Sequence, residues 1–191
     1  EGRFYSLVNC LGTHDTPRVL TVLGGGQAPA SREERAAFRL SPTQLERGLA
    51  LVKLAALVLF TFPGSPTVYY GDEAGLEGWE DPLNRGTYPW GRENQDLLAH
   101  FSRLGRLRHQ YEALRQGDFR WAYTAGGLLA YTRTWEDVTL ATVTNRDPEE
   151  TVFSMPWSAH EATDLLTGRV YHSADGWLRL PLAGRSGVLL V

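Results

Sequence analysis

At 191 residues, with 42% hydrophobic, 21% charged and 11% aromatic side chains, the chain has the composition of an ordinary soluble globular protein, which excludes disordered, collagen-like and coiled-coil classes. Nineteen Lys and Arg against 22 Asp and Glu leave a formal charge of −3, and no basic stripe interleaved with aromatics is present, so nucleic acid is not an expected partner. The greasiest stretch, Leu49 to Phe62, contains Lys53 and falls short of the ~20 residues that span a bilayer, so it reads as a buried helix and no membrane is expected as a partner.

A single cysteine forbids an internal disulfide, and Cys10, within an apolar run, reads as a small buried side chain. The length suits one domain or a domain and part of another. The opening Glu1-Gly2-Arg3 lacks an initiator Met, a signal peptide and a targeting segment, which reads as a cut N-terminus and leaves cytoplasmic and secreted locations equally open.

Phe4 to Leu11 is a near-continuous apolar run closed by Gly12, the pattern of a strand buried on both faces in a parallel sheet. A loosely defined connection follows to Leu40, in which Ser31 is placed to cap one or two helical turns. Ser41-Pro42-Thr43-Gln44 is a strong helix start: Ser caps, Pro is tolerated at the first helical position, and Gln three residues on completes a capping box. This helix is predicted to reach about Thr61. Its later half is apolar on every side, as suits a helix wedged between a sheet and other helices.

Pro63-Gly64-Ser65-Pro66 ends it, and Thr67 to Tyr70 reads as a short strand running into Gly71-Asp72-Glu73. After a loop to Arg92, Asn94 to Leu114 is predicted helical, with Leu97, Leu98, Phe101, Leu104 and Leu107 on one buried face. From Gly117 the texture changes to short alternating runs separated by turns, predicting about seven strands of an all-β sandwich and a boundary near Asp118. The predicted fold class is therefore α/β plus all-β, with one domain over 1–116 and a second over 117–191.

In parallel α/β folds ligands collect at the carboxyl ends of strands. Two polar clusters stand there: Thr13-His14-Asp15-Thr16-Pro17-Arg18, and Asp72-Glu73 followed by Asp81, Asn84 and Arg85. A His-Asp pair alone more often caps a helix or joins a surface ion pair than performs chemistry. The five histidines show no metal-ligand spacing, and Gly24 to Gly26 lacks the strand-to-helix frame and Lys of a phosphate loop, so no metal and no cofactor are expected.

Leu11-Gly12-Thr13-His14-Asp15-Thr16-Pro17-Arg18 resembles the fourth signature region of the α-amylase superfamily, glycoside hydrolase family 13, where a His-Asp pair follows the seventh barrel strand. Phe62 to Glu73 is similar to the eighth strand of that family, and Asp81-Pro82-Leu83-Asn84-Arg85-Gly86-Thr87-Tyr88-Pro89-Trp90 to the loop that follows it. Asp164-Leu165-Leu166-Thr167-Gly168 fits the C-terminal β-domain. The resemblance covers nearly the whole chain in order and is closest to the neopullulanase, cyclomaltodextrinase and pullulanase-like branch.

The resemblance implies the last two β/α units of a (β/α)8 TIM barrel followed by an antiparallel β-sandwich, from an enzyme performing retaining hydrolysis of α-1,4 or α-1,6 glucosidic bonds. Its nucleophile and general acid belong to the fourth and fifth strands, upstream of Glu1, so the chain by itself is expected to be inactive. Asp15 matches the third carboxylate, which stabilises the transition state, and His14, Asp81 and Arg85 match sugar-binding groups. Arg18, Trp79 and Tyr88 are further candidates for contact with sugar. Gly86-Thr87-Tyr88 departs from the Arg-Pro-Met expected there, which bears on substrate preference.

Bland alternatives stand beside these. Asp72-Glu73 reads better as a structural pair, Asp81 and Arg85 as either sugar contacts or an internal loop ion pair, and Trp90 as stacking or packing. Trp121, Trp135, Trp157 and Trp177 read as sandwich core or edge. The competing class for the whole chain is a non-catalytic carbohydrate-binding or structural module. Because two β/α units cannot close a barrel, the expected partners are an α-glucan and either the missing N-terminal part of the enzyme or a second copy of the chain.

Overall fold

A computed structural model describes residues 6–191. Strand β1 (Val8–Cys10) is followed by the short helices α1 (Val19–Leu23) and α2 (Arg32–Ala37), the long helix α3 (Pro42–Thr61) and strand β2 (Ser65–Thr67). Helices α4 (Gln95–Gln110) and α5 (Glu112–Gln116) come next. Strands β3 (Asp118–Ala125), β4 (Leu128–Trp135), β5 (Val138–Asn145), β6 (Thr151–Pro156), β7 (Glu161–Thr163), β8 (Val170–Ala174), β9 (Trp177–Leu182) and β10 (Ser186–Leu190) complete the chain.

β1 and β2 pair in parallel, Val8 opposite Ser65 and Cys10 opposite Thr67, with α3 as the crossover. Both capping boxes form: Ser41 accepts from the Gln44 amide while the Gln44 side chain accepts from the Ser41 amide, and Ser31 does the same with Glu34. Such a box satisfies two amide donors that a helix start otherwise leaves unpaired. The carbonyls at the far end of α3 are met by Arg108, whose guanidinium donates to Phe60 O and, beyond the helix, to Gly64 O.

Three expectations shift. Phe4 and Tyr5 lie outside the described residues, and β1 is covered on one face only: Val8 is 70% exposed and Cys10, expected buried, is exposed as well. The second strand lies two residues earlier than its composition suggests, at Ser65–Thr67, because Tyr69 and Tyr70 leave the ladder to stack on Arg18. The helix expected to reach Leu114 breaks at Tyr111, whose extended backbone separates α4 from α5. That break turns Ala113 and Leu114 into the core.

The β region forms two four-stranded antiparallel sheets, in the orders β10-β5-β4-β3 and β6-β9-β8-β7. They face each other across Ala130, Ala141 and Val143 on one side and Phe153, Met155, Leu178 and Leu180 on the other. Leu140 and Leu189, on the reverse of the first sheet, pack with the helices. This explains why β5 is buried on both faces from Leu140 onward while β9 alternates strictly, Leu178, Leu180 and Leu182 inward. The region has eight strands where about seven are expected, and β8 carries little periodic signal because only Tyr171 among its five residues is buried. Of the four late tryptophans none is fully buried, and Trp121 and Trp177 are more than half exposed.

Among the described residues no helix is long and apolar enough to cross a membrane.

Candidate functional site

The residues after β1 and those after β2 converge at the carboxyl end of the parallel pair. Thr13 to Thr16 form a tight turn in which the Asp15 amide donates to Thr13 Oγ1 at 3.2 Å and the Thr13 amide to Thr16 Oγ1 at 3.0 Å. The turn presents His14 and Asp15 to solvent side by side, His14 Nε2 lying 3.2 Å from Asp15 Oδ2.

Arg85 arrives from the second loop. Its Nε lies 2.8 Å from Asp81 Oδ1, and its Nη2 lies 3.9 Å from Asp15 Oδ1. One guanidinium thus bridges the carboxylates of the two loops. The four residues expected to touch sugar, His14, Asp15, Asp81 and Arg85, form one exposed cluster.

Asn84 fixes the loops against each other. It is fully buried, and its Nδ2 donates to His14 O and Thr16 O, both at 2.8 Å. Sequence alone placed Asn84 in the right loop without a role. Only a contact across about 70 positions reveals that it holds the backbone of the His14-Asp15 turn.

Arg18 and Trp79, both candidates for contact with sugar, are instead internal. Arg18 is 1% exposed. Its Nη1 pairs with Asp72 Oδ1 at 3.0 Å and donates to Tyr70 O, its Nε donates to Asn84 O at 2.8 Å, and its guanidinium lies 4.3 Å from the Tyr69 ring centroid. Every one of these contacts ties the segment after β1 to the segment after β2. Trp79 is 5% exposed and packs edge-on against Phe38 at 5.3 Å. Tyr88 is half-buried, its ring 4.5 Å from that of Trp90, which is 80% exposed.

Asp72 is a carboxyl that electrostatics alone would single out as a catalytic acid, because burial pushes its pKa up to about 6 against the lowering pull of Arg18. Geometry argues otherwise. The carboxyl is buried behind Arg18, and a Cβ placed on Gly12 would lie 3.0 Å from Asp72 Oδ2, so glycine is what admits it there. Glu73 accepts from the Gly71 amide at 2.8 Å across a turn in which Gly71 has φ of +89°. Both acids therefore have internal work, as a structural pair should.

The exposed cluster can bind a polyhydroxylated ligand: two carboxylates accept from vicinal hydroxyls, while His14 and Arg85 donate. Among the described residues no group of three or more His, Cys, Asp or Glu is placed to hold a metal ion.

No family model matches the sequence. The chain is 32% identical over 203 residues to an amylopullulanase of Thermoanaerobacter thermohydrosulfuricus, which covers 98% of this chain and 13% of that protein. It is 37% identical over 166 residues to a cyclomaltodextrinase of Geobacillus thermopakistaniensis (84% of this chain, 24% of that one) and 35% identical over 191 residues to neopullulanase 2 of Thermoactinomyces vulgaris (96% and 29%). Among solved structures, Ttha1563 of Thermus thermophilus superposes with a TM-score of 0.74 at 33% identity, and an α-amylase of Anoxybacillus with 0.77 at 27%. These matches cover 95% and 97% of this chain but only 35% and 38% of theirs. The chain spans less than a third of the length of the three relatives named, and with similarity along nearly its whole length it belongs to the α-amylase superfamily, glycoside hydrolase family 13, in its neopullulanase, cyclomaltodextrinase and pullulanase-like branch.

Proposed function

We propose that this chain is the C-terminal part of a retaining α-glucan hydrolase, residues 1–116 supplying the last two β/α units of a (β/α)8 barrel and residues 117–191 a β-sandwich. The observation that carries the proposal is the convergence of His14 and Asp15, after β1, with Asp81 and Arg85, after β2, on one solvent-facing rim. Active sites of (β/α)8 enzymes stand at that end of the strands.

Retaining glycosidases use two carboxyl groups about 5–5.5 Å apart, one as nucleophile and one as acid and then base. In this proposal both reside upstream, and Asp15 has a third task. As the glycosidic bond breaks, positive charge develops at the anomeric carbon and ring oxygen, and the 2-OH becomes a better donor. A carboxylate held against the 2-OH and 3-OH then gains strength in the transition state, and only such a gain raises kcat. His14 donates to the same hydroxyls. Arg85, with Asp81 behind it, orients the Asp15 carboxylate and offers its remaining N–H groups to the sugar.

Asn84 and Arg18 act one layer deeper, as positioning residues that fix the two loops. The substrate class is an α-glucan: starch, maltooligosaccharide, pullulan or cyclodextrin.

The test is reducing-end release from maltooligosaccharides and pullulan by the 191-residue chain alone and by the longer polypeptide that contains it. Turnover is expected only from the longer polypeptide. Turnover by the 191-residue chain that Asp15→Asn abolishes would place the nucleophile and acid within these residues and overturn the assignment of roles.

A further inference from the structure

Helix α2 buries none of its six side chains, and a helix that short does not persist in water on its own. It is fastened instead to the loop after β2, through three contacts in antiparallel order. Arg35 pairs with Glu80, Phe38 meets Trp79 edge-on at 5.3 Å, and Glu77 accepts from the Leu40 amide at 2.6 Å. Arg35 Nε also donates to Pro29 O at 2.6 Å, which fixes the chain leading into the helix.

Between the two segments these contacts leave a cavity of about 360 Å³, near the lower end of the range for small-molecule sites. Ala30, Arg32 and Arg35 line one side of it, and Glu80, Asp81 and Pro82 the other. Asp81 also pairs with Arg85 in the exposed cluster around Asp15. The cavity therefore adjoins the candidate site, with one carboxylate as the wall they share.

Charge selects the kind of occupant. Arg35 is neutralised by Glu80 and Asp81 by Arg85, while the exposed Arg32 guanidinium has no ion pair or hydrogen bond among the described residues. An anion here faces two carboxylates and a metal cation faces two guanidiniums, so both meet repulsion. A neutral polyol meets none. Its hydroxyls accept from Arg32 and donate to Glu80 and Asp81, and the Pro82 ring and Ala30 methyl offer apolar surface to the C–H face of a pyranose.

We propose that this cavity is an accessory subsite for a glucosyl unit of the bound α-glucan, beyond the units held at the Asp15 cluster, with Arg32 as its donor, and that it makes the enzyme favour longer chains. The proposal rests on the reading of His14, Asp15, Asp81 and Arg85 as a sugar site of an α-glucan hydrolase. The glucan passes over Arg85 and Asp81 and reaches α2. Because α2 is already fastened, little ordering cost is paid when the unit binds. A unit held this far from the scissile bond is bound equally in the ground and transition states, so its contribution falls in KM rather than in kcat.

The test is kcat and KM on the series from maltotriose to maltoheptaose, in the longer polypeptide that contains this chain, with binding of maltoheptaose to the same polypeptide followed by calorimetry. In the parent sequence kcat/KM is expected to step up where the substrate becomes long enough to enter the cavity. In Arg32→Ala the ratio of kcat/KM for maltoheptaose to that for maltotriose is expected to fall about tenfold or more, through KM, as for the loss of one charge-assisted hydrogen bond. Ala30→Trp, which fills the cavity from an exposed position, is expected to lower the ratio as well. Neither substitution removes a contact that fastens α2, so Tm is expected to hold.

A ratio that neither variant moves would overturn the proposal. So would an equal loss on maltotriose, which places Arg32 at the cleavage subsite itself, and so would a fall carried by kcat. Hydrolysis with Arg32 indifferent to chain length would leave the enzymatic reading standing and this inference refuted. Maltoheptaose binding that weakens about tenfold in Arg32→Ala, without hydrolysis by the parent polypeptide, would do the reverse. Neither hydrolysis nor Arg32-dependent binding would refute both.

Discussion

Removing the Arg18 guanidinium exposes how much of the site depends on a buried ion pair. In Arg18→Met the side chain keeps its bulk and loses three contacts at once: Asp72 Oδ1 at 3.0 Å, Asn84 O at 2.8 Å and Tyr70 O. Breaking one partner of a buried pair costs about 3–5 kcal/mol because the other charge is stranded. For a chain of this size each kcal/mol moves Tm by roughly 2–4 °C, so the loss is about 6–20 °C at a pH where Asp72 is ionised.

The loss depends on pH in a definite direction. Burial raises the Asp72 pKa from 3.8 to about 6, so the folded chain binds a proton more tightly than the unfolded one, and stability falls as pH rises from about 4 through about 6. The contribution present at low pH and gone above about 6 is of order 3 kcal/mol. Arg18 holds that pKa down, through its hydrogen bond and its charge. Without it the Asp72 pKa rises further, and the decline in stability extends to higher pH. The difference in Tm between Arg18→Met and the parent sequence is therefore smallest near pH 5, where Asp72 is largely protonated in both, and largest near pH 8. Differential scanning fluorimetry at the two pH values decides it. A Tm gap that is equal at both, or that closes at pH 8, would refute the reasoning, and an unchanged Tm with a raised KM in the longer enzyme would return Arg18 to the sugar.

Ser41→Ala removes one half of the capping box at the start of α3 and is expected to cost about 1 kcal/mol, or roughly 2–4 °C in Tm, with Ser41→Asp retaining most of it. Arg133 is buried in β4 and donates to Thr61 O at 2.9 Å, Leu114 O at 3.0 Å and Gly117 O at 3.0 Å, joining both helices to the first sheet. In Arg133→Met these three carbonyls lose that donor at about 1 kcal/mol or more apiece, so chemical denaturation should show a loss of about 3 kcal/mol or more. A change below about 1 kcal/mol would mean that the sheet and helices are held together by apolar packing alone.

Much of the architecture was legible because local chemistry and tertiary position agree. Ser41-Pro42-Thr43-Gln44 starts α3 where the box predicts and Pro63-Gly64 ends it, and of the face expected to be buried Leu97, Phe101, Leu104 and Leu107 are buried while Leu98 is half-buried. Asp175 and Gly176 both adopt positive φ between β8 and β9, as an Asp-Gly turn pattern favours. Strand β8 is less legible, because a strand near the end of a sheet with one inward side chain carries almost no periodic signal. The break at Tyr111 has neither Pro nor Gly to announce it.

The candidate site divides in the same way. His14, Asp15, Asp81 and Arg85 follow the strand ends, and their meeting could be inferred from topology. The inward course of Arg18 could not. Its partners lie more than 50 positions away, and nothing in Thr16-Pro17-Arg18 says which way a side chain in an irregular segment turns. Cys10 and Val8 went astray for a different reason. An apolar strand predicts burial, but burial needs a covering layer, and the described residues place none on that face of β1.

The central claim is that Asp15 stabilises the transition state of a reaction whose nucleophile and acid lie elsewhere. Its most direct test is the steady-state kinetics of Asp15→Asn in the longer polypeptide of the proposal, on maltooligosaccharides and pullulan, with Tm measured alongside. An amide keeps the shape and loses the charge, so kcat should fall by on the order of 10² or more, with kcat/KM falling alongside and Tm nearly unchanged. An unchanged kcat would contradict the account, leaving His14 and Asp15 as a cap on the rim of the fold.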